Sequence, residues 1–292
     1  MNAIGIDLGG TQIKAVLVTS AGEVLRREAR PTNDGEAGGW LESVRALVAE
    51  FDREARLGVS APGLAALDGS SIVCLPGRLK GIEGLDWAAC LARADRVPVT
   101  NDAHAALLGE AWIGAARGLK NAIMLTLGTG VGGAILADGR VLRGHIGRAG
   151  HFGHTCLDPR GRPSIAGMPG ALETFIGNGN VRERTGGRFD STHALIAAVV
   201  EGDADARQHW HDAVQALACG IASFINILDP EAVIIGGGIA QAGEVLFDPL
   251  RTELARIEWR PTGAAVALLR AGLGEWAGAI GAARVALIEA AG

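Results

Sequence analysis

No pair of cysteines in this chain has the spacing of a disulfide framework. Cys74, Cys90, Cys156 and Cys219 are scattered, as expected of reduced thiols in a cytoplasm. Positive charge is not in excess either: 27 Lys and Arg face 32 Asp and Glu, a net charge of −5, which argues against a nucleic-acid surface. The opening MNAIGIDLGG enters an apolar strand at once, without the basic and apolar regions of a signal peptide. The most apolar helical run, Ala213 to Leu228, is broken by Gln215 and Asn226, so it reads as a helix buried between layers rather than a membrane span. G-x-x-x-x-G-K-[ST] does not occur, which removes the P-loop class. What remains is a chain of 292 residues, 48% hydrophobic and 20% charged. That describes a soluble, cytoplasmic globular protein, with no membrane partner, large enough for two ordinary domains.

A repeat organises it. Residues 4–26, IGIDLGGTQIKAVLVTSAGEVLR, and 123–143, IMLTLGTGVGGAILADGRVLR, share one plan: apolar strand, glycine turn, apolar strand, turn, third strand beginning Val-Leu-Arg. Asp7 and Thr126, Gly9 and Gly128, and Ala15 and Ala134 take equivalent places. Helical spacing follows near 37–56, 85–94 and 102–117, then near 191–201, 204–228, 243–257 and from Glu275. Strands are expected at VPVTND, AVIIGGG and AAVALLRA. This alternation predicts an α/β chain of two related domains: 1–117, joined by the C-terminal helix 275–292, and 118–274.

GTGVGG, residues 128–133, fits G-x-G-x-x-G, but a dinucleotide site needs a helix to open at that loop. AILADGRVL has strand composition instead, so a nicotinamide-dependent oxidoreductase is set aside. A glycine turn between strands can still hold phosphate, because without a Cβ successive N–H groups converge on a close ligand. Thr11 and Thr129 add hydroxyls. One such loop is explained by hairpin geometry alone. Two at matching places in a duplicated fold favour a phosphate-binding cleft.

DLGGTQIK at 7–14, NDAHAALLGE at 101–110, LTLGTGVGG at 125–133 and AVIIGGGIA at 232–240 resemble, in order, the ROK family of sugar kinases. The resemblance covers essentially the whole chain. It implies two actin/hexokinase-like (ribonuclease H-like) α/β domains closing over a substrate, an ATP-dependent hexokinase-like activity using Mg2+, a small-molecule sugar substrate and a homodimer. The family's transcriptional repressors carry a winged-helix segment before the first phosphate loop. Here the first strand starts by residue 3, so DNA binding is not expected.

Asp102 stands where a strand gives way to a helix, a place suited both to a helix cap and to a catalytic base. The resemblance makes it the general base, taking a proton from a primary hydroxyl, the 6-OH, and gives Asn101 hydrogen bonds to the sugar. It also has Gly9, Gly10 and Thr11 cradle the terminal phosphates while Asp7 helps place hydrated magnesium. Gly128, Thr129 and Gly130 form the second phosphate loop, and Gly236, Gly237 and Gly238 border the adenosine pocket. Gly63, in SAPG, approaches the sugar. Lys14, one of only three lysines, is a nucleotide-side candidate or a solvated strand-end charge.

HFGHTC, residues 151–156, invites a metal reading. Sugar kinases of the family carry Glu-x-Gly-His and then Cys-x-Cys-Gly-x-x-Gly-Cys-x-Glu, and bind a structural zinc through the histidine and three cysteines. In this chain His154 holds the place of the histidine, and SIAGMPGALE, 164–173, aligns with the cysteine segment. Gly167, Gly170 and Glu173 remain, but Ser164, Ala166 and Ala171 hold the cysteine places. Alanine cannot ligate a metal and a structural zinc needs four ligands, so no structural zinc is expected. Pro159, Pro163 and Pro169 rigidify the loop instead. His154 and Glu173 are carried over as sugar ligands. His151 stands where the family has a sugar-contacting glutamate; a neutral imidazole both donates and accepts, which makes it a specificity position. His104, where asparagine is usual, is a smaller departure. The chain therefore reads as an ATP-dependent sugar kinase. A catalytically silent sugar sensor is the rival, motivated by His151 and the altered zinc segment and opposed by Asp102 and the two loops.

Overall fold

The computed structural model describes residues 1–35 and 38–289, which divide into two compact units. Unit 1 comprises Met1–Gly118, Val141–Ala149 and the segment from Gly272 onward; unit 2 comprises Leu119–Arg140 and Gly150–Ala271. Val141–Ala149, expected with the second domain, groups with unit 1. Arg143 Nη1 donates to the Leu67 carbonyl at 2.7 Å, and His104 Nε2 lies 3.0 Å from the Ala149 carbonyl.

Unit 1 is built on a sheet of order β3-β2-β1-β4-β7, from β1 (Asn2–Leu8), β2 (Gln12–Thr19), β3 (Val24–Pro31), β4 (Arg56–Ala61) and β7 (Val99–Asn101). A small hairpin, β5 (Leu64–Ala65) and β6 (Ile72–Cys74), precedes β7. β1 and β2 are antiparallel, whereas β1, β4 and β7 run parallel. Ile4, Ile6 and Leu8 face α1 (Gly39–Val48) through Trp40, Val44 and Leu47. The alternate residues Ala3, Val16 and Val18 meet the C-terminal helix, Ala277–Glu289, through Ala279, Ile280 and Ala283. Both faces are thus covered, as parallel strands require. The outer strand β3 carries Arg26, Arg27, Glu28 and Arg30, charges that blunt an edge.

The helices are shorter than their apolar spacing suggests. α1 ends at Val48, and Asp52 Oδ1 then accepts from Glu54 N at 3.0 Å in an Asx turn. α2 covers only Trp87–Cys90, since Ala92 adopts a left-handed φ of 49°. α3 (Asp102–Ile113) stops at Gly114, where buried Glu110 accepts from Ala115 N at 2.7 Å. The outer limits expected for the first and last helices, residues 37 and 290–292, lie outside the described residues.

Unit 2 repeats the topology with β10-β9-β8-β11-β12: β8 (Ala122–Leu127), β9 (Val131–Ala137), β10 (Arg140–Val141), β11 (Ala232–Gly236) and β12 (Ala267–Arg270). Two short helices, α4 (Leu172–Ile176) and α5 (Val181–Arg184), precede α6 (Thr192–Glu201), α7 (Ala204–Leu228) and α8 (Glu244–Ile257). α7 is long and apolar enough to cross a membrane by length and composition. Its Trp210, Val214, Leu217, Ile221 and Phe224 nevertheless pack into the unit 2 core, against strands β8 and β11. The repeats differ in register. Leu8 pairs with Ile13 but Leu127 with Val131, so the second turn is one residue shorter. In the sheet, Gly133 rather than Ala134 therefore takes the place of Ala15, opposite Leu125 as Ala15 is opposite Ile6.

Candidate active site

In unit 1 the candidate residues gather at the C-terminal ends of β1, β4 and β7, the edge where an open α/β sheet exposes its ligands. Asp7 lies one residue from the end of β1 and accepts from Ser60 Oγ of β4 at 2.7 Å. Loss of solvation pushes its carboxyl up to about 6; the Ser60 bond and Lys14 oppose the rise, and the charge of Asp102 adds to it. Lys14 pairs with Asp7 across the β1–β2 ladder, yet its Nζ is 3.1 Å from Glu275 Oε2. Its ion pair is thus with the chain's own C-terminal segment. The first loop, Gly9–Gln12, closes through Gly9 N to Gln12 O at 3.0 Å. Thr32, buried and absent from the sequence expectations, donates its hydroxyl to Gly9 O at 2.8 Å and its N–H to Thr11 O at 3.0 Å.

Asn101, not Asp102, caps α3. Its Oδ1 accepts from Ala103 N at 3.0 Å and His104 N at 3.2 Å, while Nδ2 donates to Gly63 O at 3.0 Å and Asp102 Oδ1 at 2.9 Å. An amide has two donor and two acceptor positions, so Asn101 has none left for a sugar hydroxyl in this arrangement. It orients Asp102 and ties Gly63 to the same strand end. Asp102 is exposed as the first residue of α3, where the helix N-terminus favours a negative charge, and its Oδ1 also accepts from Ala103 N at 2.8 Å.

Unit 2 holds a second group. Its loop closes through Gly128 N to Gly130 O at 3.0 Å and is braced by Asn178 N to Gly128 O at 2.9 Å and Gly179 N to Thr129 O at 2.8 Å. Gly128 and Thr129 line a cavity of about 560 Å³ with Asn178, Thr192, Ile196 and Gly238. His193 and Gln241 also line it, and the Thr192 hydroxyl is buried without a hydrogen-bond partner. Of Gly236, Gly237 and Gly238, only Gly238 lines this cavity. Gly237 has another reason to be glycine: at φ 84°, a Cβ would fall 2.3 Å from the Leu127 carbonyl oxygen.

HFGHTC forms a single turn of 3₁₀ helix at Phe152–His154, with Phe152 buried against Phe224 of α7. His154 Nδ1 and Glu173 Oε1 face each other at 3.4 Å, both buried and neither in a hydrogen bond. The His151 ring lies 6.1 Å from that of His154 and 25° from parallel. Glu173 also approaches the second loop, its Oε2 2.9 Å from where a Cβ on Gly130 would stand. The loop after Cys156 keeps its own backbone order: Leu157 N donates to Gly170 O at 2.8 Å and Ser164 N to Met168 O at 2.8 Å. Among the described residues, no group of three or more His, Cys, Asp or Glu side chains is placed to hold a metal ion.

Ser60, Thr32, Asn178 and Thr192 are the site residues that sequence reasoning passed over. Ser60 sits inside the quoted SAPG, at a strand end where ligands are expected, and was legible there. The others brace or line the site through pairings distant in sequence.

Comparison with known proteins shows the family. The ROK family signature matches residues 3–289. The chain is 34% identical to a glucokinase of Thermotoga maritima over 87% of each chain, and 30% identical to an N-acetylmannosamine kinase of Escherichia fergusonii over 98% of each. Among solved structures, a ROK hexokinase from Thermus thermophilus superposes with a TM-score of 0.85 at 30% identity, covering 100% of this chain and 99% of that one. A ROK family glucokinase from Streptomyces griseus, in complex with glucose and AMPPNP, gives 0.81 at 28% identity, covering 99% and 100%.

Proposed function

The chain belongs to the ROK family, and from that premise we propose that it is an ATP-dependent kinase of a hexose or hexose derivative. The observation that carries this reading is Asp102, held by Asn101 at a sheet edge beside Asp7 and the first glycine loop. Asp102 takes the proton of the 6-OH as that oxygen attacks the γ-phosphorus. The new O–P bond forms as the bond to the β–γ bridging oxygen breaks, giving a sugar 6-phosphate and ADP. Gly10 and Thr11 in unit 1, and Thr129 and Gly130 in unit 2, are the backbone and hydroxyl donors proposed for the phosphates, while the N–H groups of Gly9 and Gly128 close the two turns. The cavity beside Thr129 and Gly238 suits the adenosine: it has apolar walls at Ile196 and Ile239 and polar groups at Asn178, Thr192 and Gln241. AMPPNP in the Streptomyces griseus relative supports ATP as donor.

Asp7 fits a place near a hydrated Mg2+, since a nearby dication offsets the solvation its carboxylate has lost. Bound there, the ion supplies charge neutralisation to the β- and γ-phosphates. On the sugar side, His154 and Glu173 are the proposed ligands, their Nδ1 and Oε1 facing each other at 3.4 Å without a hydrogen bond, and Gly63 lies one hydrogen bond from Asn101. His151, a half-buried imidazole able to donate and to accept, sets specificity where the family has glutamate. The names of the relatives, glucokinase and N-acetylmannosamine kinase, support an acceptor of hexose type. We extend the proposal to a cytoplasmic homodimer acting without nucleic acid, membrane or structural zinc.

The test is ADP release with magnesium ATP across hexoses, ketoses and N-acetylated hexosamines, with the phosphorylated position read by NMR. Turnover on one sugar with the phosphate on O6 is expected. Sugar binding by calorimetry without turnover on any of them would replace the kinase with a silent sensor.

A further inference from the structure

Beside the first glycine loop the sequence offers Lys14 as a cation and Gly9, Gly10 and Thr11 as the cradle. The structure lays a different cation across the loop. The Arg78 guanidinium covers Gly10: a Cβ on that glycine would lie 2.9 Å from Nη2 and 3.5 Å from Cζ. Arg78 lines a cavity of about 410 Å³ together with Asp34, Leu79, Lys80 and Glu83. Lys14, whose charge reaches Asp7, is engaged with Glu275 at 3.1 Å.

The segment carrying Arg78 is held in an unusual shape. Leu79, the next residue, is fully buried yet has φ 44°, a left-handed conformation rare for a leucine. Asp34 fixes it from two sides: Oδ1 accepts from Leu79 N at 2.7 Å, and Oδ2 stands 3.7 Å from Arg78 Nε. The carboxylate thus hydrogen-bonds the backbone beside Arg78 and attracts the Nε end of the guanidinium by charge, while Nη2 lies toward Gly10. Strained backbone persists where the surroundings over-determine it, and such strain clusters where a side chain must be aimed.

We propose that Arg78 is a phosphate-binding residue, donating from its guanidinium to the terminal phosphoryl group of the nucleotide over Gly10, with Asp34 as its positioning residue. The inference rests on the kinase reading. Phosphoryl transfer develops charge on the equatorial oxygens, and a planar, permanently charged guanidinium suits them. Since AMP lacks the terminal phosphates, Arg78 contributes to binding of ATP but not of AMP.

The experiment measures affinities for AMP and for a non-hydrolysable ATP analogue by calorimetry, with magnesium, in wild type, Arg78→Gln and Arg78→Lys, together with sugar-dependent ADP release. Arg78→Gln is expected to lose at least about tenfold in affinity for the analogue and none for AMP, and about 100-fold in kcat/KM for ATP. Arg78→Lys keeps the charge and recovers part of both. Equal analogue affinities in wild type and Arg78→Gln would overturn the proposal, as would a parallel loss for AMP accompanied by a lower Tm, which marks a structural role. If the wild type binds the analogue but phosphorylates no sugar, the kinase reading fails alone, and the ratio of analogue to AMP affinity still decides Arg78.

Discussion

The two glycine loops share a backbone plan and differ in what surrounds them. Each closes on itself by one N–H to carbonyl bond of 3.0 Å, from Gly9 in one and Gly128 in the other. The first has one more residue between its last paired positions. The strand before it carries Asp7, where the second repeat has uncharged Thr126, and Arg78 lies over it. The second borders a cavity lined by Thr129, Asn178, Ile196 and Ile239, with no carboxylate, lysine or arginine in its walls. The two units repeat a backbone turn that presents N–H groups, and the side chains around each turn come from elsewhere in its own unit. The first loop is therefore expected to govern chemistry and charge, and the second to govern nucleotide fit.

The largest effect that could break this division is at Asp102. Asp102→Asn should lower kcat about 10³-fold, within the range for removing a general base, and leave ATP affinity unchanged. Its place in the capping arrangement survives, because an amide oxygen still accepts from Ala103 N. A loss confined to KM would assign Asp102 to binding and dissolve the contrast.

Asp7 sharpens it through pH. Its pKa is 3.8 ordinarily and about 6 in the folded chain, so between those values the folded state holds a proton that the unfolded state has released. The stability this proton contributes is complete below about 3.8 and is lost as pH rises through about 6. Asp7→Asn carries no such charge. In urea unfolding without magnesium, it should match wild type near pH 4 and exceed it at pH 8 by at most about 3 kcal/mol. Thr126→Val, at the equivalent place in the other repeat, should show no difference between those pH values. A pH-independent gap at Asp7 would mean that desolvation is not what sets it apart.

Gly237→Ala tests the second loop. A Cβ would meet the Leu127 carbonyl oxygen at 2.3 Å, and the backbone sits at φ 84°. The expected cost is about 2 kcal/mol of stability, with a raised KM for ATP and kcat within about twofold of wild type. An unchanged KM would separate this glycine from nucleotide fit.

How much of this was legible in the sequence follows the range of each interaction. The repeat, the alternation of strands and helices, and both loops were legible because they are written in contiguous residues, IGIDLGG and LTLGTGVGG. The register was misjudged by one residue at Ala134, since a turn shortened by one residue leaves the local pattern intact. Asn101 was expected to hydrogen-bond the sugar; its four bonds to Ala103, His104, Gly63 and Asp102, which cap α3 and orient its neighbour, were not foreseen. Glu110, quoted only as the end of a motif, is fully buried and accepts from the N–H groups of Ala115, Gly272 and Leu273. Two of those partners lie more than 160 residues away, and no local pattern announces them. The link from Arg78 to Gly10 is of the same kind.

The smallest effect distinguishes the loops by what braces them. Thr32 holds the first through a side-chain hydroxyl, 2.8 Å from Gly9 O, and through its own N–H to Thr11 O. The second is braced by the main-chain N–H groups of Asn178 and Gly179, which no side-chain substitution removes. Thr32→Val keeps the shape of the buried residue and deletes one hydrogen bond, a cost of about 1 kcal/mol. Amide exchange at residues 9–12 should accelerate in that variant while exchange at residues 128–130 stays at the wild-type rate. Asn178→Ala removes only the bond from Thr192 N to Asn178 Oδ1, so it should leave exchange in both loops unchanged. If Thr32→Val loosened neither loop, the hydroxyl would be incidental and the Thr32 main chain alone would brace the first loop. The two turns would then be held by the same kind of bond, and their difference would lie wholly in the charges around them.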